Sequence, residues 1–95
     1  MVYVIVVHLQ SLPEHVEEIK AKLKEAAEVY RKDKETIDWH VMQDPKDETK
    51  FCIVERYEQE SSQQYHLSNP YWKTFDPYVV PRLARPMDLT RWEEF

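Results

Sequence analysis

Glu55, Tyr57 and His66 are the side chains of this sequence that could carry out acid–base chemistry. Glu55 and Tyr57 lie two positions apart in the apolar run Phe51 to Glu58, which is typical of a strand, so both should point to the same face. Imidazole titrates near neutral pH and can accept a proton from a phenol without a metal ion. A buried Glu55 would have to pair with Arg56, with His66 or with a ligand hydroxyl, and pairing with arginine is the ordinary alternative.

The sequence offers four histidines as candidate bases: His8, His15, His40 and His66. His15 falls in the first turn of a predicted helix and is expected to be solvated. His66 and His40 are our candidate catalytic bases, with Glu55 orienting the base. The alternative for each histidine is a half-buried imidazole with a purely structural role. Two or three histidines that converge on one cavity would favour the catalytic role instead. No histidine pair has the spacing of a zinc site, so the sequence predicts no metal centre.

Aromatic side chains are concentrated between positions 57 and 78. Such a set could line an apolar pocket for a flat, aromatic or polyketide-sized ligand, or it could simply fill the core between helices and sheet. We expect the substrate to be bound by Tyr57, Tyr71, Trp72 and Phe75, together with His8.

Hydrophobic periodicity predicts the elements that position these residues. In chain order they are a strand 2–10, a helix 11–31, strands 35–43 and 50–58, helical segments 59–68 and 70–83, and a strand 87–95. Ser11 and Glu14 form a capping-box pattern, and Pro77 should kink or restart the last helix. The β-α-β-β-α-β order predicts one α+β domain, residues 1–95, with a ferredoxin-like antiparallel sheet.

The first three predicted strands do not alternate cleanly between apolar and polar residues, whereas a half-solvated antiparallel sheet should alternate. In the first strand one face carries Val4 and Val6, and the other carries Ile5 and Val7. Helices can cover only one face. The pattern therefore predicts a homodimer whose two sheets share a barrel-like core, and a merely apolar surface is the alternative.

Composition excludes several classes of function. The net charge of −5 argues against nucleic acid as the main partner, and the absence of glycine excludes glycine-rich nucleotide-binding loops. The single cysteine, Cys52, lies in an apolar strand and is expected to be a buried, inert thiol. The apolar segment Val2 to Val7 is too short to cross a membrane and lacks the features of a secretory signal, which predicts a cytoplasmic protein.

The segments Glu55-Arg-Tyr-Glu and His66-Leu-Ser-Asn-Pro-Tyr-Trp-Lys-Thr-Phe75 resemble the core signature of the antibiotic biosynthesis monooxygenase family. The resemblance implies a dimeric ferredoxin-like α+β barrel. It places His66 at the pocket mouth, and Tyr71 and Trp72 in the pocket lining. In haem-degrading members an iron-binding histidine occupies the position of Asp76, so the resemblance does not favour haem ligation. The usual helix of the family is also continuous where this chain has Pro77.

The resemblance implies a cofactor-independent monooxygenase that acts on a phenolic or polyketide-like molecule with dioxygen. The substrate anion itself would reduce the oxygen, without metal or flavin. Two alternatives remain open at this point. One is a cyclase, dehydratase or isomerase that uses the same acid–base groups, and the other is a non-catalytic dimer that binds a small molecule.

Overall fold

The computed structural model describes residues 1–95 and consists of one antiparallel sheet with three α-helices on one of its faces. The strands are β1 (Tyr3–Gln10), β2 (Thr36–Gln43), β3 (Lys50–Tyr57) and β4 (Asp88–Glu93). The α-helices are α1 (Val16–Tyr30), α2 (Gln63–Ser68) and α3 (Trp72–Val79). Short 3-10 turns lie at Pro13–His15, Glu60–Ser62 and Val80–Arg82.

The strands are ordered β2-β3-β1-β4, and every neighbouring pair is antiparallel. The first and last strands of the chain are therefore adjacent, which closes the ferredoxin-like arrangement of the predicted β-α-β-β-α-β order. The prediction of an α+β ferredoxin-like fold is confirmed. Each predicted strand is present, with ends that differ by one or two residues.

Helix α1 buries one stripe of side chains against the sheet, as the helical periodicity predicts. The stripe consists of Val16, Ile19, Leu23, Ala26, Ala27 and Tyr30. The predicted capping box at the start of this helix is wrong. Ser11 instead forms an isolated bridge with Leu83, and its hydroxyl donates to the carbonyl of Leu12. The helical turn then begins after Leu12 without a side-chain cap.

The turn between β2 and β3 is formed without glycine, because aspartate side chains bond the backbone in its place. Asp44 Oδ1 accepts hydrogen bonds from the amides of Lys46 and Asp47, at 2.7 and 3.1 Å. Asp47 in turn accepts a bond from the amide of Thr49. This turn sets a register in which Trp39 lies opposite Glu55.

Helix α3 continues through Pro77 to Val79 and then tightens into the 3-10 turn. The expectation that Pro77 restarts the helix is therefore wrong. The break predicted after residue 68 is confirmed, because Asn69 ends α2 with an extended backbone. Because α2 and α3 are separate short helices, they cover the sheet less completely than one long helix would.

The two faces of the sheet differ in what covers them. Tyr3, Ile5, Val7 and Leu9 of β1 are buried on the helix face. The opposite face, which we call the open face, carries Val4, Val6, Cys52, Val54 and Trp92, together with His8 and His40. No helix packs on the open face. None of the helices has the length and apolar character needed to cross a bilayer.

Candidate active site

A cavity of about 440 Å³ lies between the helix face of the sheet and helices α2 and α3. Every strand contributes to its floor, and all three helices contribute to its walls. Nine of its twelve lining residues are hydrophobic. The lining consists of Val7, Tyr30, Trp39, Ile53, Glu55, His66, Leu67, Trp72, Phe75, Asp76, Met87 and Leu89. An apolar cavity with few polar groups is the usual form of a small-molecule site.

Glu55 is the buried acid of this cavity, and its partner is Tyr57. The Tyr57 hydroxyl donates to Glu55 Oε1 at 2.5 Å, the short distance expected for a hydrogen bond to a carboxylate. Burial raises the pKa of Glu55, while the bond from Tyr57 opposes that rise. Arg56, the ordinary alternative partner, lies on the open face and forms an ion pair with Glu94 at 2.7 Å. The alternative of pairing with Arg56 is therefore wrong.

His66 faces Glu55 from helix α2. Its Nε2 lies 3.9 Å from Glu55 Oε1, too far for a direct hydrogen bond but close enough for a ligand hydroxyl to bridge the two groups. The imidazole packs on the ring of Tyr30, with centroids 4.1 Å apart. Burial lowers the pKa of His66 to about 4, so the ring is neutral at pH 7 and can accept a proton.

Helix α2 is fixed at both ends to the segment between α1 and β2. At its start, the Ser62 hydroxyl donates to Glu35 Oε1 at 2.7 Å. At its end, Asn69 Nδ2 donates to Asp33 Oδ1, also at 2.7 Å. Glu35 adopts a φ of 64°, a conformation that is unfavourable for a residue with a side chain. These two bonds hold the short helix, and with it His66, over the cavity.

Two lining residues have buried polar atoms without a hydrogen-bond partner, Trp39 Nε1 and His66 Nδ1. Trp39 is 2% exposed and lies directly across from Glu55 in the sheet. An unpaired buried donor costs about 1–3 kcal/mol. The Trp39 indole N–H can therefore gain from a ligand that brings an oxygen atom to this end of the cavity.

The structure brings together only some of the predicted site residues. Glu55, His66, Trp72 and Phe75 line the cavity. Tyr57 is fully buried behind Glu55 and contacts the site through its hydroxyl alone. Tyr71 packs edge-on against Tyr30, outside the lining, and donates to Glu25 at 2.6 Å.

The structure separates the other two histidine candidates from His66. His40 lies on the open face, half exposed, with Nε2 3.5 Å from Asp38. His8 is on the same face and lines a different, mostly polar cleft with Lys50 and Arg85. The three histidines therefore do not converge on one cavity. The chain contains no group of three or more His, Cys, Asp or Glu side chains placed to hold a metal ion.

Tyr30, Trp39 and Asp76 line the cavity, although the sequence did not single them out as site residues. The sequence did contain a signal that Trp39 belongs to the site. A hairpin with its turn at Asp44–Thr49 places Trp39 opposite Glu55, and paired residues share a face of the sheet. Tyr30 and Asp76 enter the site through helix packing, for which the sequence gives no comparable register.

The sequence profile of the antibiotic biosynthesis monooxygenase family matches residues 2–77 of the chain. No protein of curated function matches the chain in sequence.

Solved structures share the fold. A conserved protein from Methanosarcina mazei Go1 is 21% identical with a TM-score of 0.91, over 100% of this chain and 94% of that one. Rv0793 from Mycobacterium tuberculosis is 15% identical with a TM-score of 0.90, over 100% and 96%. A Nitrosomonas europaea protein described as a candidate antibiotic biosynthesis monooxygenase is 18% identical with a TM-score of 0.92, over 98% and 89%.

Proposed function

The chain belongs to the antibiotic biosynthesis monooxygenase family, and from that premise we propose that it oxidises a phenolic or polyketide-like molecule with dioxygen. The observation that carries this proposal is that His66 and Glu55 face each other, 3.9 Å apart, in a cavity whose other lining residues are all hydrophobic except Asp76. Oxidation of a phenol by dioxygen requires the phenolate, which gives up electrons more readily than the neutral phenol. The site needs a neutral base in mostly apolar surroundings, and this cavity combines the two.

In the proposed reaction the substrate hydroxyl lies between His66 Nε2 and Glu55. His66 takes the proton, and the resulting imidazolium is stabilised by the Glu55 carboxylate 3.9 Å away. The phenolate oxygen then accepts a hydrogen bond from the unpaired indole N–H of Trp39. Trp72 and Phe75 hold the ring from the side of α3.

The electron balance needs no donor other than the substrate. A hydroxyarene with a free ring C–H reacts with one dioxygen to give a quinone and water. The phenolate transfers electrons to dioxygen, a C–O bond forms on the ring, and the O–O bond breaks as water leaves. His66 returns the phenolic proton to the outer peroxide oxygen. It then takes the proton of the ring C–H as the O–O bond breaks and passes that proton to the departing hydroxide, which leaves as water, so the base is regenerated.

We further propose that the chain works as a homodimer joined through the open faces of two sheets. Val6, Val54 and Trp92 form an apolar surface there that no helix covers. An isologous interface of this kind buries the same surface on both subunits. The cavity lies on the helix face and stays accessible in such a dimer.

A second candidate is an isomerase, cyclase or dehydratase. It is favoured by the chemistry of the cavity's polar groups, since His66 and Glu55 both transfer protons and neither is specific for oxygen. Product mass separates the two candidates. Oxidation to a quinone adds one oxygen atom and removes two hydrogens, whereas isomerisation leaves the mass unchanged.

The test is turnover of a panel of naphthols and larger hydroxyarenes under air and under nitrogen, with isotopically labelled dioxygen to trace the new oxygen atom. We expect turnover only in air, and His66→Gln should reduce kcat by roughly 100-fold or more. His15→Gln changes a partly exposed histidine that pairs with Glu18, outside the cavity, and serves as the control. Turnover that continues under nitrogen would exclude an oxygenase, and loss of activity in His40→Gln rather than His66→Gln would contradict the assignment of the base.

A further inference from the structure

The charged groups that line the cavity are all acidic. Glu55 and Asp76 are its two carboxylates, and no lysine or arginine is among the twelve lining residues. His66 is neutral at pH 7 because burial holds its pKa at about 4. The cavity therefore has an excess of negative charge within mostly apolar walls.

Arg91, the cation that acts on Glu55, lies outside the cavity lining. Its guanidinium donates to the Tyr3 hydroxyl at 3.2 Å and to Gln63 Oε1 at 2.9 Å. Arg91 opposes the rise in the pKa of Glu55, but less strongly than the bond from Tyr57 does. No cation or hydrogen bond opposes the rise in the pKa of Asp76.

Asp76 is the lining carboxylate without a partner. It lies on α3 at the rim of the cavity, next to Phe75, and no side chain forms a hydrogen bond or ion pair with it. Partial burial raises the pKa of Asp76, and no neighbouring group lowers it. Other unpaired acids, such as Glu17 and Glu28, are exposed like Asp76, but they line none of the cavities. Asp76 differs because its surroundings are the walls of a binding cavity.

Aromatic rings line the cavity together with this carboxylate. Trp72 lies four positions before it on the same helix, and Phe75 and Tyr30 complete this part of the lining. Aromatic faces attract cations, and a carboxylate next to such rings is a typical binding site for an ammonium group. The unpaired N–H of Trp39, which lies across from Glu55 in the sheet, requires an oxygen acceptor. Asp76 and Trp39 therefore favour different groups on one molecule.

We infer that the cavity selects a substrate with a protonated amine as well as a hydroxyl ring, with the amine paired to Asp76 and the hydroxyl placed between His66 and Glu55. This inference rests on the proposed function and narrows its substrate class. A carboxylate or phosphate in place of the amine would meet Asp76 and Glu55 without a compensating cation. Anionic phenols should therefore bind more weakly than neutral ones.

Three phenols of similar shape test the inference by binding alone: tyramine, para-propylphenol and para-hydroxyphenylacetate. The indole N–H signals in a proton–nitrogen correlation spectrum report the site, because Trp39 and Trp72 line the cavity. Trp92 lies on the open face and is an internal control. We expect tyramine to bind about three- to tenfold more tightly than para-propylphenol, and the preference should weaken as salt is raised. Para-hydroxyphenylacetate should bind most weakly.

Asp76→Asn should bring the ratio of the tyramine and para-propylphenol affinities to about one, and Asp76→Ser provides a second variant of the same kind. Glu28→Gln removes an equal charge from the exposed side of α1 and should keep the ratio of the unchanged protein. An unaltered ratio in both Asp76 variants, or equal affinity for the amine and the acid, would overturn the inference. Binding of para-propylphenol without preference for tyramine would leave the proposed function standing. If no phenol shifts the Trp39 and Trp72 signals, both proposals fail.

Discussion

His66→Gln is expected to remove a dependence of stability on pH that the buried imidazole creates. Burial lowers the pKa of His66 from 6.5 to about 4, so between these two pH values the unfolded chain binds a proton at this residue and the folded protein does not. Stability is therefore lost as the pH falls from 6.5 to 4. The loss amounts to about 2 kcal/mol at pH 5 and about 3 kcal/mol at pH 4. With its side chain only 18% exposed, His66 is little screened by solvent.

Urea unfolding at one fixed protein concentration, between pH 7.5 and about 4, measures this difference. Glu55 also titrates, and because its pKa is raised, its contribution to stability changes with pH in the direction opposite to that of His66. This contribution is present in both proteins and therefore largely cancels in the comparison. Leu67→Ala serves as the control, since it removes a neighbouring lining side chain that does not titrate. Its stability should stay parallel to that of the unchanged protein. Parallel curves for His66→Gln would refute the reasoning, as would an imidazole that titrates near 6.5 in the folded protein.

Three further outcomes are expected. Tyr57→Phe should lower stability by about 1–3 kcal/mol and raise the pKa of Glu55 further, because the buried carboxylate loses its hydrogen-bond donor. Urea unfolding would measure the loss of stability, and the pH profile of turnover would show the change in pKa. An unchanged profile would count against the pairing of Tyr57 with Glu55. Val54→Lys places a charge at the centre of the open face and should convert the proposed dimer to monomers in sedimentation. The control Glu28→Lys should leave the dimer intact. A dimer that survives in Val54→Lys would rule out this interface. Cys52 should react with iodoacetamide several-fold more slowly than free cysteine at pH 8, because burial raises the pKa of its thiol; reaction at the free rate would show an accessible, unperturbed thiol.

Local patterns in the sequence were sufficient for most of the fold. The helical spacing of Val16, Ile19 and Leu23 determined the buried stripe of α1, because a period of 3.6 residues leaves one way to cover a sheet. Strand alternation placed Glu55 and Tyr57 on one face, and the aspartates at 44 and 47 formed the predicted turn. The capping box at Ser11 and a restart of the helix at Pro77 were predicted wrongly. At Ser11 a contact between distant segments overrides local preference, as the bridge between Ser11 and Leu83 shows.

The candidate site was only partly contained in the sequence. Residue types identified Glu55, His66, Trp72 and Phe75, since their chemistry is local to the side chain. Which histidine faces the cavity was decided by strand parity together with the bonds that fix α2 to Asp33 and Glu35. The same packing turned His8 and His40 to the open face and left Asp76 unpaired at the cavity rim. Sequence thus determined which groups are available and the elements that carry them. Only the tertiary structure decided which groups meet, because burial, partners and distance depend on residues far apart in the chain.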